Sequence, residues 1–160
     1  MLRGPKSFAD AVGILDVLRA AHASSVYKHL SFDEKEANRV ICQAIQRHGF
    51  KTPAGTFVQV SEVAGKIEGF IIGMLHSVYH CHLEMAATDL WWITTPQCPV
   101  RERVGLMMTM VDWARAHPRV VEITSSASDA MGGADKAARI LEKLGFKPFG
   151  SIYRMEVQSA

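Results

Sequence analysis

Ala137-Ala138-Arg139-Ile140-Leu141-Glu142-Lys143-Leu144-Gly145-Phe146 is the stretch from which the fold is best read. Its apolar residues recur at helical spacing among charged ones, and Gly145 stands where a helix end wants a residue that takes positive φ. An amphipathic helix from Ala134 to Leu144 is therefore expected to close in a Gly-Phe turn. On its C-terminal side, Ser151 to Val157 reads as a last alternating strand. On its N-terminal side, Val120 to Thr124 predicts a short buried strand. Val104 to Ala116 predicts a helix with Leu106, Met107, Met110, Val111 and Ala114 inward and Pro118 as its terminator. Pro96 and Pro99 end a strand from Leu83 to Thr94 whose bulky centre is Leu90-Trp91-Trp92-Ile93. Earlier, Phe57, Val58 and Val60 alternate with polar residues, Ala64-Gly65-Lys66 turns, and Ile67 to Leu75 returns, which predicts an antiparallel hairpin. Two helices open the chain. Ser7 with Asp10 caps the first, which carries Phe8, Val12, Leu15, Leu18 and Ala21. The second starts at Ser31 or Asp33, carries Ala37, Val40, Ile41, Ala44 and Ile45, and stops at Gly49.

This order of elements fills 160 residues with one α+β domain, residues 1–160, without repeats, linkers or low-complexity segments. Hydrophobic residues at 48% and charged residues at 21% exclude a disordered or collagen-like chain. Eighteen Lys and Arg against sixteen Asp and Glu give a net charge of +2, too even to announce nucleic acid as a partner. The longest strongly apolar stretch, Phe70 to Leu75, is too short to span a bilayer. The segment Ala11 to Leu18, bounded by Asp10 and interrupted by Asp16, reads as an amphipathic helix rather than a signal peptide, so a cytoplasmic location is expected. Cys42, Cys81 and Cys98, odd in number and without CxxC spacing, point to free thiols.

The Leu90 to Ile93 strand, the proline-marked loop and helix, the Val120 to Thr124 strand and the Leu144-Gly145-Phe146 turn, followed by Tyr153-Arg154-Met155-Glu156-Val157, together resemble the GCN5-related N-acetyltransferase (GNAT) superfamily. The resemblance covers nearly the whole chain. It implies a mixed, mostly antiparallel central sheet with helices on both faces, acetyl-CoA as cofactor and an unknown amine as acceptor. It is also similar to the short GNAT-like proteins encoded by tailed phages. From this comes a rival expectation: a non-catalytic structural or assembly protein, a virion component located in the particle, with virion proteins or a second copy of itself as partners.

What the resemblance implies for the site is carried over residue by residue. The backbone of Trp91, Trp92 and Ile93 falls where the family presents a strand to the cofactor. Val100, Arg101, Arg103, Val104 and Gly105 occupy the pyrophosphate loop, where a helix N-terminus directs N–H groups at the anion. The family's Q/R-x-x-G-x-G pattern is not restored in either register that fits, since its glycine positions fall near Arg101 and Arg103. Their guanidinium groups either grip phosphate oxygens or fill the space that the phosphates need. The tyrosine that donates a proton in many members aligns with Leu141, and a frequent asparagine with Ala134. Tyr153 is then the remaining candidate donor. Asp89, flanked by apolar and aromatic residues, is the candidate general base.

Each of these has a plainer reading. Asp89 caps a strand end or pairs with an arginine, and Trp91 and Trp92 face opposite sides of the sheet so that one is core. Met107, Met108 and Met110 fill the core. His76, His80, Cys81 and His82 form a solvated loop rather than a zinc site, and no structural metal is expected. Arg101, Arg103, Arg115 and Arg119 lack the aromatic platform that nucleic-acid binding wants. Ser125-Ser126-Ala127-Ser128-Asp129 has no histidine at nucleophile spacing.

Overall fold

A computed structural model describes residues 1–79, 81, 83–128, 130, 133–151 and 153–155. Along the chain come β1 (Leu2–Arg3), α1 (Asp10–Ser24), α2 (Glu34–Gln46), β2 (Thr56–Val63), β3 (Lys66–Ser77), β4 (Met85–Thr94), α3 (Val100–Arg115), β5 (Val120–Thr124) and α4 (Ala134–Lys143). The strands form one sheet in sequence order, antiparallel from β1 to β4, with β5 parallel to β4. This is the α+β class with the mixed, mostly antiparallel sheet that the sequence predicts.

Period-two alternation sorts the sheet residues between two helical layers. Val58, Val60, Phe70 and Ile72 pack with α1 and α2 through Ile14, Leu18 and Ile41, and Trp91 joins them. Phe57 and Ile71 pack with α3 and α4 through Leu106, Met107, Met110 and Leu141, and Trp92 joins these instead. The two tryptophans thus take opposite faces. Phe70 meets Trp91 edge-on at 6.4 Å and Phe57 stacks on Trp113 at 5.3 Å. Met108, by contrast with its neighbours, is exposed.

Local chemistry explains the element ends. Asp33 accepts the Glu36 N–H at 2.9 Å and caps α2. The β2–β3 turn places Ala64 at φ 50° and Gly65 at φ 81°, the two positive values of a tight hairpin turn. At the end of α4 the Phe146 N–H donates to the Leu141 carbonyl and the Gly145 N–H to that of Glu142, with Gly145 at φ 94°. This is a Schellman closure, and Phe146 packs back on the same cluster as Leu141.

Five expectations need correction. Ser7 does not cap α1 directly. Its hydroxyl accepts the Ala9 N–H in a preceding turn, and the helix starts at Asp10. The third strand begins at Met85 rather than Leu83. β5 is not buried, because Val121 and Glu122 face solvent on a strand paired along one edge only among the described residues. The helix expected from Val104 starts at Val100, since Pro99 serves as its N-cap residue and accepts the Glu102 and Arg103 N–H groups. The last strand, Ser151 to Val157, falls partly on residues 152, 156 and 157, which lie outside the described residues; Ser151, Tyr153, Arg154 and Met155 are not in a strand.

Candidate active site

β4 and β5 are paired only from Met85↔Val120 to Thr88↔Thr124. Beyond Thr88, β4 runs on to Thr94 with β3 on one side, so the backbone of Asp89–Thr94 is unpaired on its β5 side among the described residues. The sheet forks there. The ladder to β3 also slips at this point, where Trp91 faces Ile72 but Asp89 faces Gly73, leaving Leu90 as the extra residue of a bulge.

The bulge decides where Asp89 points. Without it, Asp89 and Trp91 would share a face. With it, Asp89 lies opposite Gly73, whose missing side chain would meet Met110 Sδ at 2.9 Å and Trp113, so Asp89 joins Ala87 and Trp92 on the α3 side. Burial pushes its carboxyl above the ordinary carboxylate range, while the Ser125 hydroxyl, its own backbone N–H and that of Ser126 pull the other way. No charged group contributes, so the arginine partner allowed for in the sequence is absent among the described residues. Asp89 Oδ1 and Ser125 Oγ are both buried, and neither completes a hydrogen bond of good geometry.

The residues read as a phosphate loop form the first turn and a half of α3 instead. Val100 and Arg101 are exposed at its start, where no side chain caps the helix. Arg103 is committed elsewhere: its Nε donates to the Cys98 carbonyl at 2.7 Å and its Nη2 to the Pro96 carbonyl at 2.8 Å, and its own carbonyl accepts Trp92 Nε1–H at 3.1 Å. Val104 is half-buried in the next turn. Gly105 faces β1, where a Cβ would come within 2.6 Å of Leu2 Cδ1, so its smallness serves packing. Glu102 accepts the Ser61 hydroxyl at 2.5 Å and pairs with the Met1 ammonium, and these contacts hold its carboxyl below the usual range.

A groove of about 1400 Å³ lies on the α4 side of β5. Val26 and Tyr27 of the α1–α2 connection, Glu122 and Ser125 of β5 and its extension, Leu141 of α4 and Tyr153 line it. The fork and the groove meet at Ser125. Tyr153, the candidate donor, lines the groove but is 91% exposed, and Leu141 is a buried apolar residue of its floor. Trp91, Trp92, Ile93 and the α3 start lie outside the groove lining. Sequence reasoning weighed Ser125 only as a nucleophile and set it aside, since its place in the site comes from the β4–β5 pairing rather than from any spacing. His76 and Cys81 are exposed, His80 and His82 lie outside the described residues, and no three metal-ligating side chains converge among the described ones. No helix among the described residues is long and apolar enough to cross a membrane.

The sequence matches no known family model and no curated protein. Solved structures do match. A Trypanosoma brucei acetyltransferase is 16% identical with a TM-score of 0.69, the match covering 98% of this chain and 99% of that one. Glucosamine-6-phosphate N-acetyltransferase from Arabidopsis thaliana is 14% identical with a TM-score of 0.68, over 99% and 98%. AAC(6')-Iy, solved in complex with the bisubstrate analogue CoA-S-monomethyl-acetylneamine, is 12% identical with a TM-score of 0.67, over 99% and 98%. Over nearly its entire length, this chain has the fold of the GCN5-related N-acetyltransferases.

Proposed function

We propose that this protein is an N-acetyltransferase that moves an acetyl group from acetyl-CoA to an amine. The observation that carries this reading is the fork: an unpaired strand edge with a buried carboxyl at its crotch. The free edge of β4 fits the amide-bearing arm of the cofactor, which wants backbone partners, and the uncapped start of α3 fits its phosphates. Trp91, Trp92 and Ile93 would hold the first through backbone groups, and Val100 and Arg101 the second. Arg103 would act one step back, fixing the Pro96–Cys98 turn and, through its carbonyl, the Trp92 ring. Acetyl-CoA supplies an acetyl group activated as a thioester. Asp89 takes a proton from the acceptor amine, a task its raised carboxyl suits. The groove beside β5 admits the acceptor. Tyr153 on its wall is the candidate donor to the departing group.

A second reading keeps the fold as an assembly module, and the commitment of Gly105 to Leu2, of Arg103 to its loop and of Leu141 to the core favours it. A thermal-shift titration with acetyl-CoA, with desulfo-CoA and ATP as controls, separates the two. Ligand at about 100 times its dissociation constant stabilises by roughly 2.7 kcal/mol, a shift of several degrees for a domain of this size. A saturable shift specific to acetyl-CoA supports the enzyme. No shift up to millimolar acetyl-CoA refutes it and leaves the assembly reading.

A further inference from the structure

Asp89 and Ser125 are the residues that immediately follow the last β4–β5 pair, Thr88↔Thr124. Both look to the α3 side: Asp89 through its pairing with Gly73, and Ser125 by standing two residues beyond Ile123, which packs there. Asp89 Oδ1 and Ser125 Oγ are both buried without a hydrogen bond of good geometry, although the Ser125 hydroxyl stands close enough to the carboxyl to pull it down, and folded proteins rarely keep such a pair unless something else completes it. The chemistry of that guest follows from the two groups. An ionised carboxylate only accepts, a hydroxyl accepts and donates, and a primary ammonium brings N–H donors enough for both. Ser125 is also part of the groove wall, whereas Asp89 is not, so Ser125 is the member of the pair that adjoins the groove.

We propose that Ser125 anchors the acceptor amine and relays its proton to Asp89. This rests on the acetyl-transfer reading above. The acceptor arrives as R–NH3⁺. One of its N–H bonds breaks and the proton bonds to Ser125 Oγ, while the original Ser125 O–H bond breaks and its proton bonds to the Asp89 carboxylate. The amine keeps two hydrogens and gains a lone pair, Ser125 ends as it began, and Asp89 becomes the neutral acid. Among the described residues, the charged groups sharing the groove are Arg115, Glu122, Glu142, Lys147 and Arg154, and none of them figures among the influences on the Asp89 carboxyl.

The test uses the full chain with ¹³C-carboxyl aspartate, the Asp89 signal being assigned by its loss in Asp89→Asn. Asp89 is titrated with pH alone, with butylammonium, and with tetramethylammonium, which has the same charge and no N–H donor. Butylammonium is expected to lower the Asp89 titration midpoint by about half a pH unit or more, and tetramethylammonium by much less. Ser125→Thr keeps this difference and Ser125→Ala abolishes it. Equal responses to the two cations, no response to butylammonium, or an unchanged response in Ser125→Ala each overturn the relay. The two-cation comparison needs no variant, so it stands if Ser125→Ala fails to fold. The acetyl-CoA titration keeps the two readings apart. Acetyl-CoA binding without an amine response sinks the relay alone, whereas an amine response without acetyl-CoA binding sinks the acetyl-transfer reading on which the relay's role depends.

Discussion

Replacing Asp89 with asparagine should make the protein more stable at neutral pH while disabling it. Asparagine keeps the size and one carbonyl oxygen and removes the charge. Burial raises the Asp89 carboxyl above its ordinary value, so the folded chain holds that proton more tightly than the unfolded chain, where aspartate titrates near pH ~3.9. The linkage then has a definite sign. Below the unfolded value both states are protonated and the site costs little. As pH rises from there through the folded value the unfolded state is favoured increasingly, and above it the cost is constant. A neutral side chain escapes that cost, which for one buried, poorly paired polar group is on the order of 1 kcal/mol. For a chain of this length that is about 2–4 °C in Tm. Calorimetry of wild type and Asp89→Asn should therefore show the variant melting higher at pH 7.5 and nearly level with wild type near pH 4. Acetyl transfer should fall by about 10²–10⁴-fold. A gain in Tm of the same size at both pH values, or a loss at pH 7.5, would refute the account of Asp89 as an uncompensated buried acid.

Arg103→Ala should destabilise the chain by about 1–3 kcal/mol in guanidinium melts, because it removes the bonds to the Cys98 and Pro96 carbonyls. Arg101→Ala should leave stability within about 0.5 kcal/mol and weaken acetyl-CoA binding. The reverse pattern would mean that the two arginines have been assigned the wrong way round. Phe70→Ala should cost about 3–5 kcal/mol, since Phe70 is fully buried against Trp91, and a loss under 1 kcal/mol in urea would contradict the packing described. His48 is half-buried, its Nδ1 accepts the Val58 N–H at 3.0 Å, and burial holds its imidazole below the usual value. Its contribution is thus complete above about pH 6.5 and erodes as pH falls from there towards the folded value. His48→Asn should flatten the drop in urea midpoint between pH 7.5 and 5.5, and an unchanged drop would rule His48 out as its source.

Elements whose boundaries are written in local chemistry were readable from the chain. Asp33 before an acidic first turn, Ala64-Gly65 between alternating runs and Gly145 before Phe146 each mark an end that the structure realises with a specific hydrogen bond or a positive φ. The start of α3 was misplaced because proline carries two messages, ending a strand and opening a helix, and Pro99 delivers the second. Asp89 could be singled out as an acid among apolar residues, but not aimed. Its direction depends on the extra residue Leu90, which only the pairing with β3 reveals. Ser125 could be weighed only as a nucleophile for a related reason: its importance lies in standing next to the strand residue at which a ladder stops. Arg103 and Gly105 illustrate the converse, residues whose type suggests ligand contact and whose neighbours claim them for packing.

The short parallel ladder between β4 and β5 divides the molecule into parts that should breathe at different rates. β3 and the first half of β4 are bonded along both edges and β2 meets β1 only at Val60 and Ser61, whereas β5 hangs on Met85–Thr88 alone among the described residues. Amide hydrogen exchange should accordingly be slowest in β3 and fastest among the strands in β5, with α4 opening alongside β5 as one cooperative unit. The half of the fork that a ligand would have to enter is then the half that opens most cheaply, and occupancy should register first as slowed exchange in β5, before any change is felt in the rest of the sheet.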